Sequence, residues 1–184
     1  TQNENDLVDA IKPITARFIL ESEEKLHKTI REKNTGFCRL LDYLSGTVSV
    51  DKRIIDIMTP NYDRIIEIIC DKLGIGVITG FNGSLYGKFS RNLLKQPTEM
   101  YNCRNYAWIR LFKPHGSINW ISENGQKYLT NDYEILKEKA EYIEIVTPGS
   151  SKYKVGMTNN TFPCMREEFN ELVNPRDNHS LLIY

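Results

Sequence analysis

Two short polar stretches of this chain carry side chains that could do chemistry. Asn61 and Asp63 follow the apolar run at 54–58, and His115 lies in a polar turn between two further apolar runs. A neutral imidazole beside an amide could orient a sugar hydroxyl and accept its proton near neutral pH. The sequence therefore predicts a ligand site, provided that the two stretches meet at neighbouring strand ends.

Both stretches also fit a purely structural role. Asn is favoured at the residue that caps the start of a helix, and the helix dipole favours a carboxylate such as Asp63 in the first turn. A single loop histidine such as His115 is more often structural than catalytic. Capping by Asn61 and contact with a ligand are compatible, so the residues alone leave both interpretations open.

The elements around Asn61 predict a parallel sheet. The run "RIIDIMT" is typical of a buried strand, "YDRIIEIICDKL" of a helix ended by Gly74, and "IGVITGF" of a second strand. Strand, helix and strand with short joins favour a parallel pair. This arrangement places Asn61 at the carboxyl end of the first strand, where ligands of open α/β sheets bind.

A helical section, residues 1–49, precedes this unit. Apolar residues near helical spacing predict a helix at 5–31, in which Pro13 marks a start or a kink. A second helix is predicted at 37–44, ending at Ser45-Gly46. His27 lies in a charged run, which is interpreted as a solvated helix face.

The second half predicts strands separated by turns, with one more helix. Residues 82–106 lack a clear period and predict an irregular or hairpin-containing insertion. The remaining predictions are strands at 108–112 and 118–121, a hairpin turn at 122–126, a strand at 142–148, a helix at 163–172 and a strand at 180–184.

The composition is typical of a soluble, single-domain protein. The 184 residues contain no apolar run near the length of a membrane helix. Lys+Arg and Asp+Glu both number 24, so no net basic field favours contact with nucleic acid. The N-terminal residues lack the pattern of a signal peptide, so a cytoplasmic location is expected. The four cysteines form no C-x-x-C pair and are expected to be reduced thiols that hold no metal.

Two stretches together resemble the SIR2-like (sirtuin-like) domain of bacterial anti-phage defence effectors. Residues 59–67, "TPNYDRIIE", are similar to the family's T-T-N-Y-D-x-x-[IL]-E, with Pro60 in place of the second Thr. Residues 113–120, "KPHGSINW", are similar to K-x-H-G-S-[IL]-x-W and occur in the family's order. The later "IVTPGSSK" is similar to the family's strand with its Pro-containing loop. The resemblance covers roughly residues 50–184.

The resemblance implies an α/β fold with a Rossmann-like parallel sheet and helical insertions. Residues 1–184 would form one SIR2-like domain, with a helical section at 1–49 and an α/β section with the catalytic motifs at 50–184. The implied activity is hydrolysis of NAD to nicotinamide and ADP-ribose, which depletes NAD and stops the infected cell. NAD is then a substrate, and no metal is expected.

The resemblance also implies roles for individual residues. Asn61 would position the nicotinamide ribose and the attacking water, Asp63 would help to fix the ribose, and His115 would act as a base toward a ribose hydroxyl. Asn61 and His115 are thus the expected catalytic residues. The expected NAD-binding residues are Thr59, Asn61, Tyr62, Asp63, His115 and Gly116.

Members of the family often act as homo-oligomers or with an ATPase or Argonaute-like companion, so such partners are expected. Two Gly-rich segments of the family are absent: the G-A-G-x-S loop before the first helices and the G-[FY]-G-[FY]-x-[DN] segment after residue 184. Backbone amides of such loops receive a pyrophosphate. We therefore expect a fragment of a longer protein, incomplete at both ends, and weak binding of NAD by residues 1–184 alone.

Two other functions are compatible with these stretches. One is a non-catalytic module that binds NAD or ADP-ribose, or serves in assembly. The other is an NAD-dependent protein deacylase, which is disfavoured because most such sirtuins carry a four-Cys zinc module and no C-x-x-C pair occurs here.

Overall fold

The structure, a computed structural model, describes residues 2–47, 54–100, 107–147 and 161–174. Its helices are α1 (Gln2–Glu32), α2 (Gly36–Thr47), α3 (Ile65–Leu73), α4 (Arg91–Lys95), α5 (Pro97–Met100), α6 (Tyr133–Glu138) and α7 (Thr161–Val173), with a 3₁₀ helix at Ala140–Tyr142. Its strands are β1 (Ile54–Met58), β2 (Gly76–Ile78), β3 (Phe81–Asn82), β4 (Gly87–Phe89), β5 (Trp108–Phe112), β6 (Gly116–Glu123), β7 (Gln126–Leu129) and β8 (Ile143–Ile145). The strand predicted at 180–184 lies outside the described residues, as does the part of the stretch "IVTPGSSK" from residue 148 onward.

The strands form two sheets, and the chain is a mixed α/β protein. β1, β5 and β2 form a parallel sheet in that order. The other sheet is antiparallel and has the order β3-β4-β7-β6-β8. The predicted parallel relation of β1 and β2 is confirmed, although β5 lies between them. The parallel-sheet prediction thus accounts for only one of the two sheets.

Short connections explain the second sheet. Only residues 113–115 separate β5 from β6, far fewer than a parallel crossover needs. Asn124 and Gly125, with φ of 51° and 75°, form a two-residue turn from β6 into β7. Asn-Gly is a strong hairpin signal because both of its residues adopt positive φ readily. The hairpin turn predicted at 122–126 is therefore confirmed.

Helix α3 packs on the parallel sheet. Its buried residues Ile66 and Ile69 pack in one cluster with Leu111 of β5. Gly74 ends the helix with φ of 69°, a left-handed conformation that suits glycine, as predicted. The helix begins at Ile65, three residues later than predicted, and this later start leaves the polar residues before it in a loop.

The helical section is present, with two differences from the predictions. α1 runs through Pro13, and α2 continues to Thr47 instead of ending at Ser45. The hydroxyls of Ser45 and Thr47 donate to the carbonyl oxygens of Asp42 and Leu44 at 2.8 and 2.9 Å. These bonds satisfy carbonyls of the last turn, which helps the helix to continue.

Most charged residues of the run at 21–33 are exposed, as predicted for a solvated face, but Glu23 and His27 are not, which corrects the interpretation of His27. Glu23, in the same run, is 3% exposed, and His27 is half-buried with its ring centroid 6.4 Å from that of Tyr133. Ala16 and Leu20 are fully buried on the same side of α1. The run is therefore amphipathic in an unusual way, because a carboxylate lies on the buried side.

Helix α1 packs against β6 of the antiparallel sheet and against the cluster formed by α3 and the parallel sheet. Ala16 and Leu20 pack with Ile118 of β6, whereas Ile30 joins the cluster of α3 and the parallel sheet. A third cluster joins α4 and α7 with β5 and β6 and includes Leu94, Phe112, Trp120, Phe162 and Met165.

The predicted insertion, which lies between β2 and β5 in the chain, contains a hairpin, one of the two forms expected for it. β3 and β4 pair antiparallel, and α4 and α5 follow them. Helix α6 was not predicted because six residues are too few for a helical period to be recognised. Its start is nevertheless marked in the sequence by Asp132, whose Oδ1 accepts hydrogen bonds from the N–H groups of Glu134 and Ile135 at 3.0 and 3.2 Å.

Gly116 allows β6 to approach β8 closely. Its φ is 90°, and a Cβ placed on it would lie 2.0 Å from the carbonyl oxygen of Glu144. Its N–H donates to the carbonyl oxygen of Lys113 at 3.1 Å, which closes the turn that holds His115. Both the backbone conformation and the contact with β8 therefore require glycine at this position.

We expect Gly116→Ala to lower the free energy of unfolding by at least about 3 kcal/mol, because strain at positive φ adds to a clash with backbone. Gly125→Ala is the matched control: Gly125 also has positive φ, but a Cβ there meets no atom within 4 Å. It should cost only about 1–2 kcal/mol, the strain alone. Chemical denaturation measures both values, and equal losses would contradict the role of the contact with Glu144.

Candidate functional site

The two polar stretches lie at the carboxyl ends of adjacent parallel strands. Met58, the last residue of β1, pairs with Phe112, the last residue of β5. The N–H of Thr59 extends this ladder by donating to the carbonyl oxygen of Phe112 at 3.0 Å. Asn61 and His115 each follow three residues after this pair. The predicted meeting of both stretches at one sheet edge is confirmed.

Backbone and hydroxyl contacts join the two loops. The carbonyl oxygen of Tyr62 accepts hydrogen bonds from the N–H of Ile118 at 3.0 Å and from the hydroxyl of Ser117 at 3.2 Å. The Tyr62 hydroxyl donates to the carbonyl oxygen of Val146. The N–H of Val146 in turn donates to the carbonyl oxygen of His115 at 2.9 Å. Val146 therefore contacts both loops. Burial raises the pKa of Tyr62, so its hydroxyl stays protonated and can donate this hydrogen bond.

Asn61 is exposed and does not cap α3, so the alternative interpretation of Asn61 as a helix cap does not hold. Its backbone N–H donates to the hydroxyl of Thr59 at 3.2 Å, and the cap position belongs to Arg64. Asp63 does serve the helix start, since its Oδ1 accepts a hydrogen bond from the N–H of Ile65 at 3.0 Å. Asp63, and not Asn61, therefore takes the structural role at the start of α3.

A fully buried lysine lies beneath the site. Lys113 is 0% exposed, and its ammonium group donates to the carbonyl oxygen of Asp63 and to the hydroxyl of Ser117, the latter at 3.1 Å. Its Nζ also lies 2.8 Å from Oε1 of Glu67 on α3. Two of the three ammonium protons thus have hydrogen-bond acceptors, and a carboxylate lies beside the same group.

The contact between Lys113 and Glu67 is an ion pair rather than an ideal hydrogen bond. Neither carboxylate oxygen of Glu67 accepts a hydrogen bond of good angle from the described residues, although both oxygens are buried. Neutralisation of charge therefore dominates this contact. Removing one partner would leave the other charge buried and uncompensated.

A second buried ion pair connects α1 to the start of α3. Arg64 Nε donates to Oε1 of Glu23 at 2.8 Å, and the backbone N–H of Arg64 donates to the other oxygen of the same carboxylate. Tyr133 donates its hydroxyl to Glu23 at 2.9 Å, and the Arg64 guanidinium lies 4.4 Å from the centre of the Tyr133 ring. Glu23 thereby accepts a hydrogen bond from the backbone at the N-cap of α3, where the N-cap side chain itself makes no capping hydrogen bond.

This cluster shifts the titration of Tyr133. Burial is the main cause that raises the pKa of Tyr133 to about 12; the charge of Arg64 works against this rise, and the charge of Glu23 adds to it. Arg64 also donates to Oδ1 of Asn131 at 3.2 Å, and the amide of Asn119 donates to the same atom at 2.9 Å. The cluster thus extends from α1 to β6.

A cavity of about 550 Å³ lies beside this cluster. None of the six predicted site residues lines it. Its walls include Arg64, Glu67, Thr79, Phe81, Asn119, Leu129, Asn131 and Tyr133.

Among the described residues, no group of three or more His, Cys, Asp or Glu side chains is placed to hold a metal ion. Within the same ranges, no helix combines the length and apolar character needed to cross a membrane.

Sequence reasoning missed the two buried ion pairs. Glu67 stands between two pairs of isoleucines in α3, and Lys113 follows an apolar strand. A charge flanked by apolar residues on both sides indicates a buried partner, so this pair could have been suspected. Glu23 and Arg64 are 41 residues apart and carry no such local signal.

Comparison of the chain with protein-family models and with curated proteins gives no significant match. The class that the structure itself defines is a mixed α/β protein with polar loops at the carboxyl edge of a parallel sheet.

We expect Lys113→Met to lower the free energy of unfolding by roughly 3–5 kcal/mol, because it leaves the Glu67 carboxylate buried without a counter-charge. The double variant Lys113→Met/Glu67→Gln should recover part of this loss, since the remaining partner is neutral. Denaturant unfolding of the two single variants and the double variant measures the coupling. A loss below about 1 kcal/mol for Lys113→Met would show that the pair contributes little.

The raised pKa of Tyr133 predicts a dependence of stability on pH. Tyrosine ordinarily has a pKa of 10.0, and the folded value is about 12. The stabilisation from the neutral phenol is therefore fully present below about pH 10 and is lost as the pH rises through about 12. Tyr133→Phe should show a smaller decline of the unfolding free energy over this range than the parent protein. Tyr86→Phe, at an exposed tyrosine, is the control, and a decline in Tyr133→Phe as steep as that of the parent would contradict the assignment.

Proposed function

We propose that the protein is a SIR2-like NAD hydrolase that cleaves NAD to nicotinamide and ADP-ribose. One observation carries the proposal: Asn61 and His115 each follow three residues after a pair that ends two adjacent parallel strands. The exposed amide of Asn61, which is not used to cap α3, supports a role toward a ligand.

The proposed fold assignment is a Rossmann-like α/β domain of the sirtuin type. Its basis is the parallel arrangement of β1, β5 and β2, with α3 connecting β1 to β2. Ligands of such sheets bind outside the carboxyl ends of the strands. The antiparallel sheet would then be an addition that supports the loops from the other side.

The roles proposed for the site residues follow the resemblance. Asn61 orients the nicotinamide ribose and the attacking water, and His115 accepts a proton from a ribose hydroxyl. Asp63 helps to fix the ribose with the carboxylate oxygen that does not bind the N–H of Ile65. Thr59, Tyr62 and Gly116 contribute to the NAD-binding surface mainly by fixing these loops, as their hydrogen bonds indicate.

The reaction breaks the bond between the nicotinamide nitrogen and C1′ of the ribose. The electron pair of this bond neutralises the pyridinium ring, and a water oxygen forms the new bond to C1′ with release of one proton. Positive charge develops on the ribose in the transition state, so oriented polar groups stabilise it. The amide oxygen of Asn61 and the imidazole of His115 are the groups proposed for this task.

The proposed biological role is depletion of NAD in the cytoplasm during bacterial anti-phage defence. This depletion stops the infected cell. The proposal includes homo-oligomers and an ATPase or Argonaute-like defence partner. It includes no direct contact with nucleic acid. These elements rest on the resemblance of residues 59–67 and 113–120 to the family.

The test measures nicotinamide release from NAD by the full-length protein. Asn61→Ala and His115→Ala should each reduce turnover at least about a hundredfold, the scale of an acid–base or orienting group. Asn82→Ala is the matched control, because Asn82 is an exposed asparagine in β3. Circular dichroism and denaturation midpoints establish that all the variants are folded.

Two outcomes would contradict the proposal. Full turnover by folded Asn61→Ala and His115→Ala would place the chemistry elsewhere. Binding of NAD or ADP-ribose without any release of nicotinamide would identify a sensing or assembly module, and acyl-peptide substrates would then test for a deacylase.

A further inference from the structure

Helix α1 has a second apolar side, opposite the one that packs on the protein. Ala16, Leu20 and Ile30 are buried on its inner side. Four large apolar residues lie exposed on the other: Ile11 (39%), Ile14 (68%), Phe18 (70%) and Leu26 (49%). With 3.6 residues per turn, these four positions fall along one side of the helix. We call them the outer stripe.

The outer stripe is more than a scatter of surface residues. Single exposed apolar side chains are normal, whereas a contiguous row of large ones marks an interaction surface. Ser22, which lies within the row, donates its hydroxyl to the carbonyl oxygen of Phe18 at 2.7 Å. Because this hydroxyl is satisfied within the helix, the row can be covered without leaving a polar group unpaired.

The spacing of the outer stripe fits a second copy of the same helix running in the opposite direction. Ile11 lies seven residues before Phe18, and Leu26 lies eight residues after it. An antiparallel partner centred on Phe18 therefore places Phe18 against Phe18, and brings Ile11 within one residue, about 1.5 Å along the axis, of Leu26, in both directions. Ile14 then faces the self-satisfied Ser22. Such a two-fold contact uses the same surface on both subunits.

The charges beside the outer stripe also fit this arrangement. Arg17 and Glu21 are exposed and occupy one flank of the row, one turn apart. In the antiparallel arrangement Arg17 of one copy faces position 19 of the other, two residues from Glu21. Along the helix axis the two charged residues are therefore about 3 Å apart. The two-fold axis repeats the contact, so two ion pairs of opposite charge form. Lys25, also exposed, lies near the end of the row, where its stem can cover apolar surface while its ammonium reaches water.

We propose that the outer stripe of α1 is a self-association surface, on which α1 of a second copy packs antiparallel about Phe18. This inference is independent of NAD hydrolysis, because none of its residues belongs to the strand-end loops.

Sedimentation analysis over a range of protein concentrations tests the proposal. The parent protein should associate, and Phe18→Glu should weaken the association about tenfold or more, because it buries a charge at the centre of the contact. Leu85→Glu is the matched control, since Leu85 is 78% exposed in the turn between β3 and β4 and should leave association unchanged. Phe18 is exposed in the single chain, so Phe18→Glu should fold with the same denaturation midpoint.

Charge reversal tests the direction of packing. Arg17→Glu alone and Glu21→Arg alone should each associate more weakly, because each places like charges opposite each other twice. An equimolar mixture of these two variants should restore association, since both contacts then join opposite charges. The double variant Arg17→Glu/Glu21→Arg should also associate like the parent.

Three results would overturn the proposal. They are a monomeric parent protein at all concentrations, association that Phe18→Glu does not weaken, and a mixture of the two single reversals that associates no better than either alone.

Discussion

The arrangement of the strand-end loops depends on one buried cation. The ammonium group of Lys113 is shielded from water, so the protein itself must supply its acceptors. They are the carbonyl oxygen of Asp63 and the hydroxyl of Ser117, and the carboxylate of Glu67 supplies the counter-charge. Asp63 and Glu67 belong to the first polar stretch and the helix after it, and Ser117 follows the turn of the second stretch. Each stretch is therefore held in place by the other.

The turn around His115 adds a second constraint, which is steric. Gly116 lets β8 approach within a distance that no side chain tolerates, and Val146, just after β8, bonds to both loops. The buried charge of Lys113 beneath the loops and the close contact of Gly116 with β8 beside them thus fix the same two loops. Asn61 remains exposed within this arrangement, because the contacts of the loop are made by its neighbours.

The parts of the fold that could be predicted depend on local pattern. The helix end at Gly74, the hairpin at Asn124-Gly125 and the strand-end position of Asn61 all follow from a few adjacent residues. The parts that could not be predicted depend on pairing between distant segments. β5 lies between β1 and β2, and Glu23 caps a helix 41 residues later in the chain, without any signal near either residue. The capping role that the sequence left open for Asn61 is instead performed by that distant carboxylate and by Asp63.

Helix α1 carries two different surfaces at nearly the same height along its axis. Phe18 lies five residues before Glu23, or about 7.5 Å. One side exposes the outer stripe, and the other brings the Glu23 carboxylate to the backbone N–H of Arg64, just before α3. The sequence of this segment therefore has to satisfy an exposed apolar side and a buried charged side within a few residues.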